Sequence, residues 1–246
     1  MLRAEDGLRS LYEEALPRFL DSLRLREQAV PLYLSELSGR IAERPVKLLT
    51  RRYTGAELSS LTVAIIAEDA AAGGAPSLRS LTVIGLPRVG SPLPILGMDL
   101  IALGGTLSLI ALDLAPTEPA FWEQRCRGVL NEVHALAGSA VVHRKRPEFT
   151  ATTFSSRALI AGARPEGVPS AIAAAGFLLA QGERLYAAAD APERVSSAPL
   201  VDADALAARQ RAWLVAERHN RREHDALSRI FGAELARKYL EDFLFN

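Results

Sequence analysis

Four short runs of aliphatic and β-branched residues between Val46 and Leu114 limit the possible folds of this chain more than any other feature. Turn residues such as Thr54-Gly55 and Gly104-Gly105 separate the runs, which are VKLLTRRY, LTVAIIAE, LRSLTVIGLP and LSLIALDL. Short runs of this composition, bounded by turn signals, predict strands. The two glycines at 104 and 105 predict a tight antiparallel hairpin, with Asp99 at the beginning of one arm.

Helical spacing surrounds this block of strands. Apolar residues from Leu8 to Leu23 repeat as in an amphipathic helix, and a short helical piece is expected over Val30 to Leu37. Further helices are predicted over 118–137, 169–189, 202–230 and 233–245, with a strand over 154–163 and a loop over 190–199. This order predicts an antiparallel sheet covered by helices on both faces. With no long linker, residues 1–246 are expected to form one domain, with 1–39 as an N-terminal helical segment packed on it.

Composition excludes several classes of function. Lys plus Arg equals Asp plus Glu, 29 each, so a charged partner would need a local patch rather than a global field. No apolar run reaches the ~18 residues of a spanning helix, and no signal peptide is evident, so a cytoplasmic protein is expected. A single cysteine, Cys126, excludes an internal disulfide and a multi-cysteine metal site.

The common catalytic signatures are also missing. The chain has no GxGxxG, P-loop, HExxH, CxxC or GxSxG motif. Its four histidines lack metal-binding spacing and are interpreted as surface residues; they are His134, His143, His219 and His224. Cys126 has no base near it in the sequence and is interpreted as a half-buried thiol rather than a nucleophile. An enzyme or binding protein that uses neither a metal nor a thiol is therefore expected.

Asp99 is the most conspicuous polar residue, because it lies in an otherwise apolar stretch. A carboxylate removed from water without a partner is costly and holds a proton more tightly than usual. Asp99 is therefore a candidate proton donor, although a carboxylate that caps a turn or binds backbone amides would have the same sequence. Asp113, before Pro116-Thr117, is interpreted as a turn-stabilising residue.

Two separated motifs resemble the ferredoxin-dependent bilin reductases. The first is LPRVGSPLPILGMDLIALGG followed by LSLIALDLAPT, and the second is the C-terminal IFGAELARKYLEDFLFN. Weaker similarity extends the resemblance over most of residues 40–246, and it is strongest to the phycocyanobilin-forming members. The resemblance implies an α/β/α three-layer sandwich with a central antiparallel sheet. It also implies reduction of biliverdin or a related bilin, with electrons from reduced ferredoxin and no cofactor bound by the protein itself.

The resemblance also implies roles for particular residues. Asp99 falls at the position of the family's central acid, and Thr82 at the position beside it. Arg164 falls at the position of a propionate-binding arginine, and Arg222 where relatives hold a basic residue on the ligand-facing helix, so both are expected near the propionates of the bilin. Asn220 matches an asparagine next to the pocket. Because ferredoxin is acidic, basic patches at 143–146 and 218–222 are candidate docking surfaces.

Departures from the family pattern leave the activity open. Thr82 replaces a histidine or asparagine, and Ala64 occupies the position of a second carboxylate. Arg221 replaces an aspartate, and Asp225 could take the place of that aspartate only if the helix were shifted or rotated. Asp99 is therefore expected to carry the protonation almost alone. One alternative is a bilin-binding protein with little or no turnover, and another is a reductase of a different open-chain tetrapyrrole, such as a chlorophyll catabolite.

Overall fold

A computed structural model describes residues 2–68, 77–146, 148–151, 153–188 and 202–246. The chain begins with a nearly continuous helical segment, as its apolar spacing predicts. It consists of α1 (Ala4–Ser10), a π-helical turn (Leu11–Ala15) and α2 (Leu16–Ser22). The helix expected over Val30 to Leu37 is confirmed only as the single turn α3 (Leu32–Ser35). The chain is extended on both sides of α3, as the strands β1 (Arg26–Gln28) and β2 (Glu36–Ile41). Both strands pair with the strand that follows β2.

The remaining strands are β3 (Arg44–Thr54), β4 (Leu58–Glu68), β5 (Ser77–Pro87), β6 (Ile95–Leu103), β7 (Thr106–Ala115), β8 (Val141–His143) and β9 (Leu159–Ala163). Among the described residues, nine strands form one antiparallel sheet in the order β1-β3-β4-β5-β6-β7-β9-β8, with β2 also on β3. The four predicted runs are confirmed as strands, and Gly104 and Gly105 form the hairpin turn with φ of 61° and 79°. Only the last half of the strand expected over 154–163 is extended.

One face of the sheet is covered by the N-terminal helices and by the helices that follow β7. These are α4 (Pro119–Arg125), α5 (Arg127–Ala137) and α6 (Val168–Ala187). Apolar side chains at alternate positions of the strands, such as Leu81 and Met98, pack against them in the larger of two hydrophobic cores. The predicted helices over 118–137 and 169–189 are confirmed, with a break at Cys126; residue 189 and the loop expected over 190–199 lie outside the described residues.

The opposite face is covered by the C-terminal helices. The single helix predicted over 202–230 is wrong, because His219 and Asn220 interrupt it between α7 (Ala203–Arg218) and α8 (Arg221–Phe231). The last helix is confirmed as α9 (Ala233–Arg237), followed by a π-helical segment (Lys238–Leu244). A second core joins these helices to the sheet and includes Trp213, Ala64 and Ile84.

Helices therefore lie on both sides of one antiparallel sheet, and the α/β/α three-layer sandwich is confirmed. In the described part of the chain, no helix combines the length and the apolar character needed to cross a membrane.

Candidate active site

Asp99 lies in the middle of β6, on the sheet face that the C-terminal helices cover. The expectation that it begins the hairpin arm is wrong, because β6 extends four residues before it, from Ile95. Pairing places Asp99 directly beside Thr82 of β5 and Ala111 of β7, and Thr82 beside Ala64 of β4. Directly paired residues point to the same side of a sheet, so these four side chains share one face, here called the Asp99 face.

Thr82 is the hydrogen-bond partner of Asp99. Its hydroxyl donates to Oδ1 of Asp99 at 2.8 Å. Asp99 retains a small accessible surface but is surrounded by protein. Burial raises the pKa of Asp99 to about 6, and the bond from Thr82, which favours the carboxylate, partly offsets that increase. The carboxyl can therefore gain or lose a proton near neutral pH.

The C-terminal layer brings two further carboxyls toward Asp99, and the sequence reasoning missed both. Glu217, in the last turn of α7, is only 5% exposed. Burial raises its pKa to about 7, and the negative charge of Asp99 contributes to that shift. Burial, Asp99 and Glu217 together raise the pKa of Glu223 on α8 well above its ordinary value. Asp99 therefore has acidic neighbours in the C-terminal layer that the expectation of an almost solitary acid did not include.

Asp225 does not join this group, since its side chain is exposed on α8. The signal that could have identified Glu217 is its position on the buried stripe of α7, four residues after Trp213. A glutamate on the apolar stripe of a helix is uncommon unless it is paired or functional.

Asn220 has a structural task at the break between α7 and α8. It is the N-cap residue of α8, and its side-chain oxygen accepts a hydrogen bond from the backbone N–H of Glu223 at 3.4 Å. Its amide nitrogen donates to the Glu223 carboxylate, also at 3.4 Å. A hydrogen bond from Asn220 to Glu217 partly offsets the larger increase that burial causes in the pKa of Glu217. Asn220 therefore ends one helix, starts the next and orients both acids.

The two arginines proposed for the propionates are not brought into direct contact with Asp99. Arg164 is exposed where β9 ends, and Arg222 is exposed in the first turn of α8. Both guanidinium groups are accessible to an anionic ligand, as propionate binding requires.

A cationic cleft of about 200 Å³ lies at the edge of the sheet near β8 and β9, and none of its described lining residues is acidic. Ile160, one of them, pairs with Ala111, which in turn pairs with Asp99, so Ile160 lies on the Asp99 face, whereas His143 pairs with Ala161 of the larger core on the other face. Arg144 lies across β9, with Nη2 3.3 Å from the position a Cβ of Gly162 would occupy. The lining residues are His134, His143, Arg144, Arg146, Ser156, Arg157, Ala158 and Ile160.

Asp113 anchors a loop rather than the turn at Pro116-Thr117. Its carboxylate accepts hydrogen bonds from the backbone N–H of Ser155 at 2.7 Å and from the Ser155 hydroxyl. Burial raises the pKa of Asp113 to about 6 despite these bonds. Asp113 therefore ties the segment that precedes β9 to β7.

The remaining candidates have no direct role in this site. Cys126 is fully buried, and burial raises the pKa of its thiol to about 12, so the thiolate nucleophile is not available near neutral pH. In the ranges that the structure covers, no three His, Cys, Asp or Glu side chains are grouped so that they could hold a metal ion.

Comparisons with known proteins agree with this architecture. The chain is similar in structure to phytochromobilin synthase from tomato, crystallised in complex with biliverdin, with a TM-score of 0.73 and 18% identity over 97% of this chain and 82% of that one. No curated protein matches the sequence significantly. The family model for ferredoxin-dependent bilin reductases matches residues 13–246, so the similarity begins well before residue 40. The chain is thus an oxidoreductase that belongs to the ferredoxin-dependent bilin reductase family.

Proposed function

We propose that this protein reduces biliverdin with electrons from reduced ferredoxin, and that Asp99 donates a proton to the substrate. The observation that carries the proposal is the Thr82–Asp99 pair on the covered face of the sheet. A carboxyl with a pKa of about 6 is protonated in a useful fraction of molecules near neutral pH and is still acidic enough to donate. The tomato relative was crystallised with biliverdin, which supports the same substrate class.

Thr82 would act through its hydrogen bond to Asp99. Its hydroxyl stabilises the carboxylate that remains after proton donation. It cannot carry a charge, so the proton itself would come from Asp99. Arg164 and Arg222 would bind the propionates, since a guanidinium can contact both oxygens of a carboxylate. Asn220 would act mainly by holding the helical side of the pocket in place.

The ferredoxin docking surface would include the cationic cleft. The exposed residues His143, Arg144 and Lys145 lie on it or beside it, and Arg157 lines it. A local excess of positive charge attracts an acidic protein and speeds its association. One lining residue of the cleft, Ile160, lies on the Asp99 face, so a donor bound there would lie at the edge of the same sheet that carries Asp99.

The test is an anaerobic assay with biliverdin and reduced ferredoxin, in which absorbance follows the bilin. Asp99→Asn should bind biliverdin but reduce it about 10²- to 10⁴-fold more slowly, the usual contribution of a positioned acid. The matched control is Asp225→Asn, which removes an exposed carboxylate from the same helical layer and should leave the rate unchanged. Equal rates for Asp99→Asn and wild type would refute the assignment of the donor.

The same assay separates the alternative function. A wild-type protein that binds biliverdin without changing its spectrum in the presence of reduced ferredoxin would be a bilin-binding protein. The replacement of a family carboxylate by Ala64 is the observation that favours this second candidate. Absence of binding would refute both.

Docking is tested separately by salt dependence. Arg144→Glu combined with Lys145→Glu should raise the KM for ferredoxin and weaken its dependence on ionic strength, while the affinity for biliverdin changes less. Arg18→Glu, a charge reversal at an exposed position of α2, which contributes no described residue to the cleft, is the control. An identical effect of both charge reversals would show that net charge matters and the cleft does not.

A further inference from the structure

One stripe of α7 carries polar groups into the space between that helix and the sheet. The buried positions follow helical spacing, and the last two are Trp213 and Glu217, at i and i+4. Trp213 belongs to the core that contains Ala64 and Ile84. Its ring packs edge to face against that of Phe245, with the two ring centres 5.9 Å apart. Glu217 lies one turn further along the same stripe.

Both side chains have an atom without a hydrogen-bond partner. These atoms are Nε1 of Trp213 and Oε1 of Glu217, and each is buried. The side chains are 7% and 5% exposed. In the described part of the chain only one other buried side-chain atom shares this condition, Oε2 of Glu5, which lies on α1 in the opposite layer.

Buried polar atoms without partners are rare, because each loses its bonds to water and receives nothing in exchange. Here an N–H donor and a carboxyl oxygen are one helical turn apart in the layer that covers Asp99. Such a pair is satisfied by a ligand that offers an acceptor and a donor in the same region.

The charged groups around Glu217 show which space it faces. Asp99 of β6 and Asp113 of β7 both add to the effect of burial on Glu217, while hydrogen bonds from Asn220 and Thr153 oppose it. Glu223 of α8 is in turn influenced by Asp99 and Glu217. Arg146 is the cation that acts on Asp113. Glu217 thus lies near Asp99, and the packing of Trp213 in the core that contains Ala64 places the same stripe of α7 over the Asp99 face.

We propose that Glu217 is the second proton donor in the reduction and that the indole N–H of Trp213 binds a carbonyl oxygen of the same linear tetrapyrrole. This inference rests on the proposed function, reduction of biliverdin. The pyrrole and lactam rings of a bilin provide both N–H donors and carbonyl acceptors, which matches the two unpartnered atoms. Asp99 acts from the sheet and Glu217 from the helical layer.

The step balances as a two-electron, two-proton reduction. Two reduced ferredoxins are each oxidised by one electron, and one double bond of the bilin is reduced. The O–H bonds of the Asp99 and Glu217 carboxyls break, and two new bonds to hydrogen form on the substrate. Both carboxylates then recover a proton from water.

The experiment compares Glu217→Gln with wild type and with Asp225→Asn in single-turnover reduction under anaerobic conditions. Glu217→Gln should bind biliverdin within a few-fold of wild type, yet complete the reduction about 100-fold more slowly. It should also lose one ionisation from the pH profile of turnover. Glu217→Asp should recover part of the rate. Turnover by Glu217→Gln equal to that of Asp225→Asn, with the same pH profile, would overturn the assignment.

Trp213→Phe tests the second contact and keeps the aromatic ring in the core. Loss of the N–H should weaken biliverdin binding about fivefold or more and shift the absorbance of the bound pigment, since one hydrogen bond is removed. Unchanged affinity and spectrum would refute the role of Trp213. Thermal unfolding shows that each variant is folded. If wild type itself neither binds nor reduces biliverdin, the proposed function fails; if wild type is active and Glu217→Gln is too, only this inference fails.

Discussion

The bond between Thr82 and Asp99 predicts how one substitution changes the pH dependence of the enzyme. Thr82→Val keeps the shape and the branched β-carbon of the side chain, so β5 keeps its strand conformation. It removes the hydroxyl that donates to Asp99 at 2.8 Å. Since that bond stabilises the carboxylate more than the protonated acid, its loss raises the pKa of Asp99.

The size of the shift follows from the strength of the bond. A hydrogen bond to a charged group contributes about 1.5–3 kcal/mol, and one pKa unit corresponds to about 1.4 kcal/mol. Loss of the bond should therefore raise the pKa of Asp99 by about one to two units. Asp99 retains some accessible surface, where water can partly replace the hydroxyl, and the lower limit is therefore expected. The pKa of Asp99, about 6 in the native chain, should rise to about 7 in the variant.

A proton donor works only while it holds its proton, so the rate falls as the pH rises above its pKa. In Thr82→Val the alkaline limb of the rate profile should lie about one unit higher than in wild type, measured from about pH 5 to pH 9. Thr54→Val is the control, because the hydroxyl of Thr54, the last residue of β3, donates to the backbone carbonyls of Leu58 and Ser59 and not to Asp99. An alkaline limb that stays in place or moves to lower pH would refute this reasoning.

Three further predictions concern stability. The folded pKa of Asp99, about 6, exceeds the unfolded value of about 3.9, so ionisation of Asp99 destabilises the folded chain as the pH rises. Asp99→Asn should therefore raise the free energy of unfolding by up to about 3 kcal/mol at about pH 8 and leave it unchanged below about pH 4, as measured by urea denaturation. Ser155→Ala should instead lower that free energy by about 1–3 kcal/mol, since the buried carboxylate of Asp113 loses the hydroxyl that donates to it, and an unchanged urea midpoint would contradict the anchoring role. Arg52 donates a hydrogen bond of 2.7 Å to the carbonyl of Phe243, and its guanidinium lies 4.0 Å from the centre of the Phe243 ring. Arg52→Ala removes both contacts, so hydrogen exchange in Lys238–Leu244 should accelerate about tenfold or more. An unchanged exchange rate would show that Arg52 does not hold this segment.

The central strands of the fold could be predicted closely, whereas the short edge strands and some helix boundaries could not. Aliphatic and β-branched runs and paired glycines are local signals, and β3, β4, β5 and β7 follow them. The helix expected over 202–230 has continuous helical periodicity, yet it breaks at Asn220, whose side chain caps α8. Capping and continuation of a helix compete within about 1 kcal/mol, so tertiary contacts decide between them. The expected helix over Val30 to Leu37 gave way to strand pairing with β3 for the same reason.

The site divides along the same line. The amino-acid sequence by itself determined that Asp99 lies on a strand among apolar residues, and that Thr82 lies on a neighbouring strand of the same antiparallel block. Only the tertiary structure decided that these two side chains are paired, that Asp113 binds Ser155, and that Glu217 joins Asp99 from α7. The physical reason is that burial and electrostatic interaction depend on which groups meet in space. A repeat along the chain specifies the direction of a side chain within its own element, and the partner from another layer is fixed only when the layers pack.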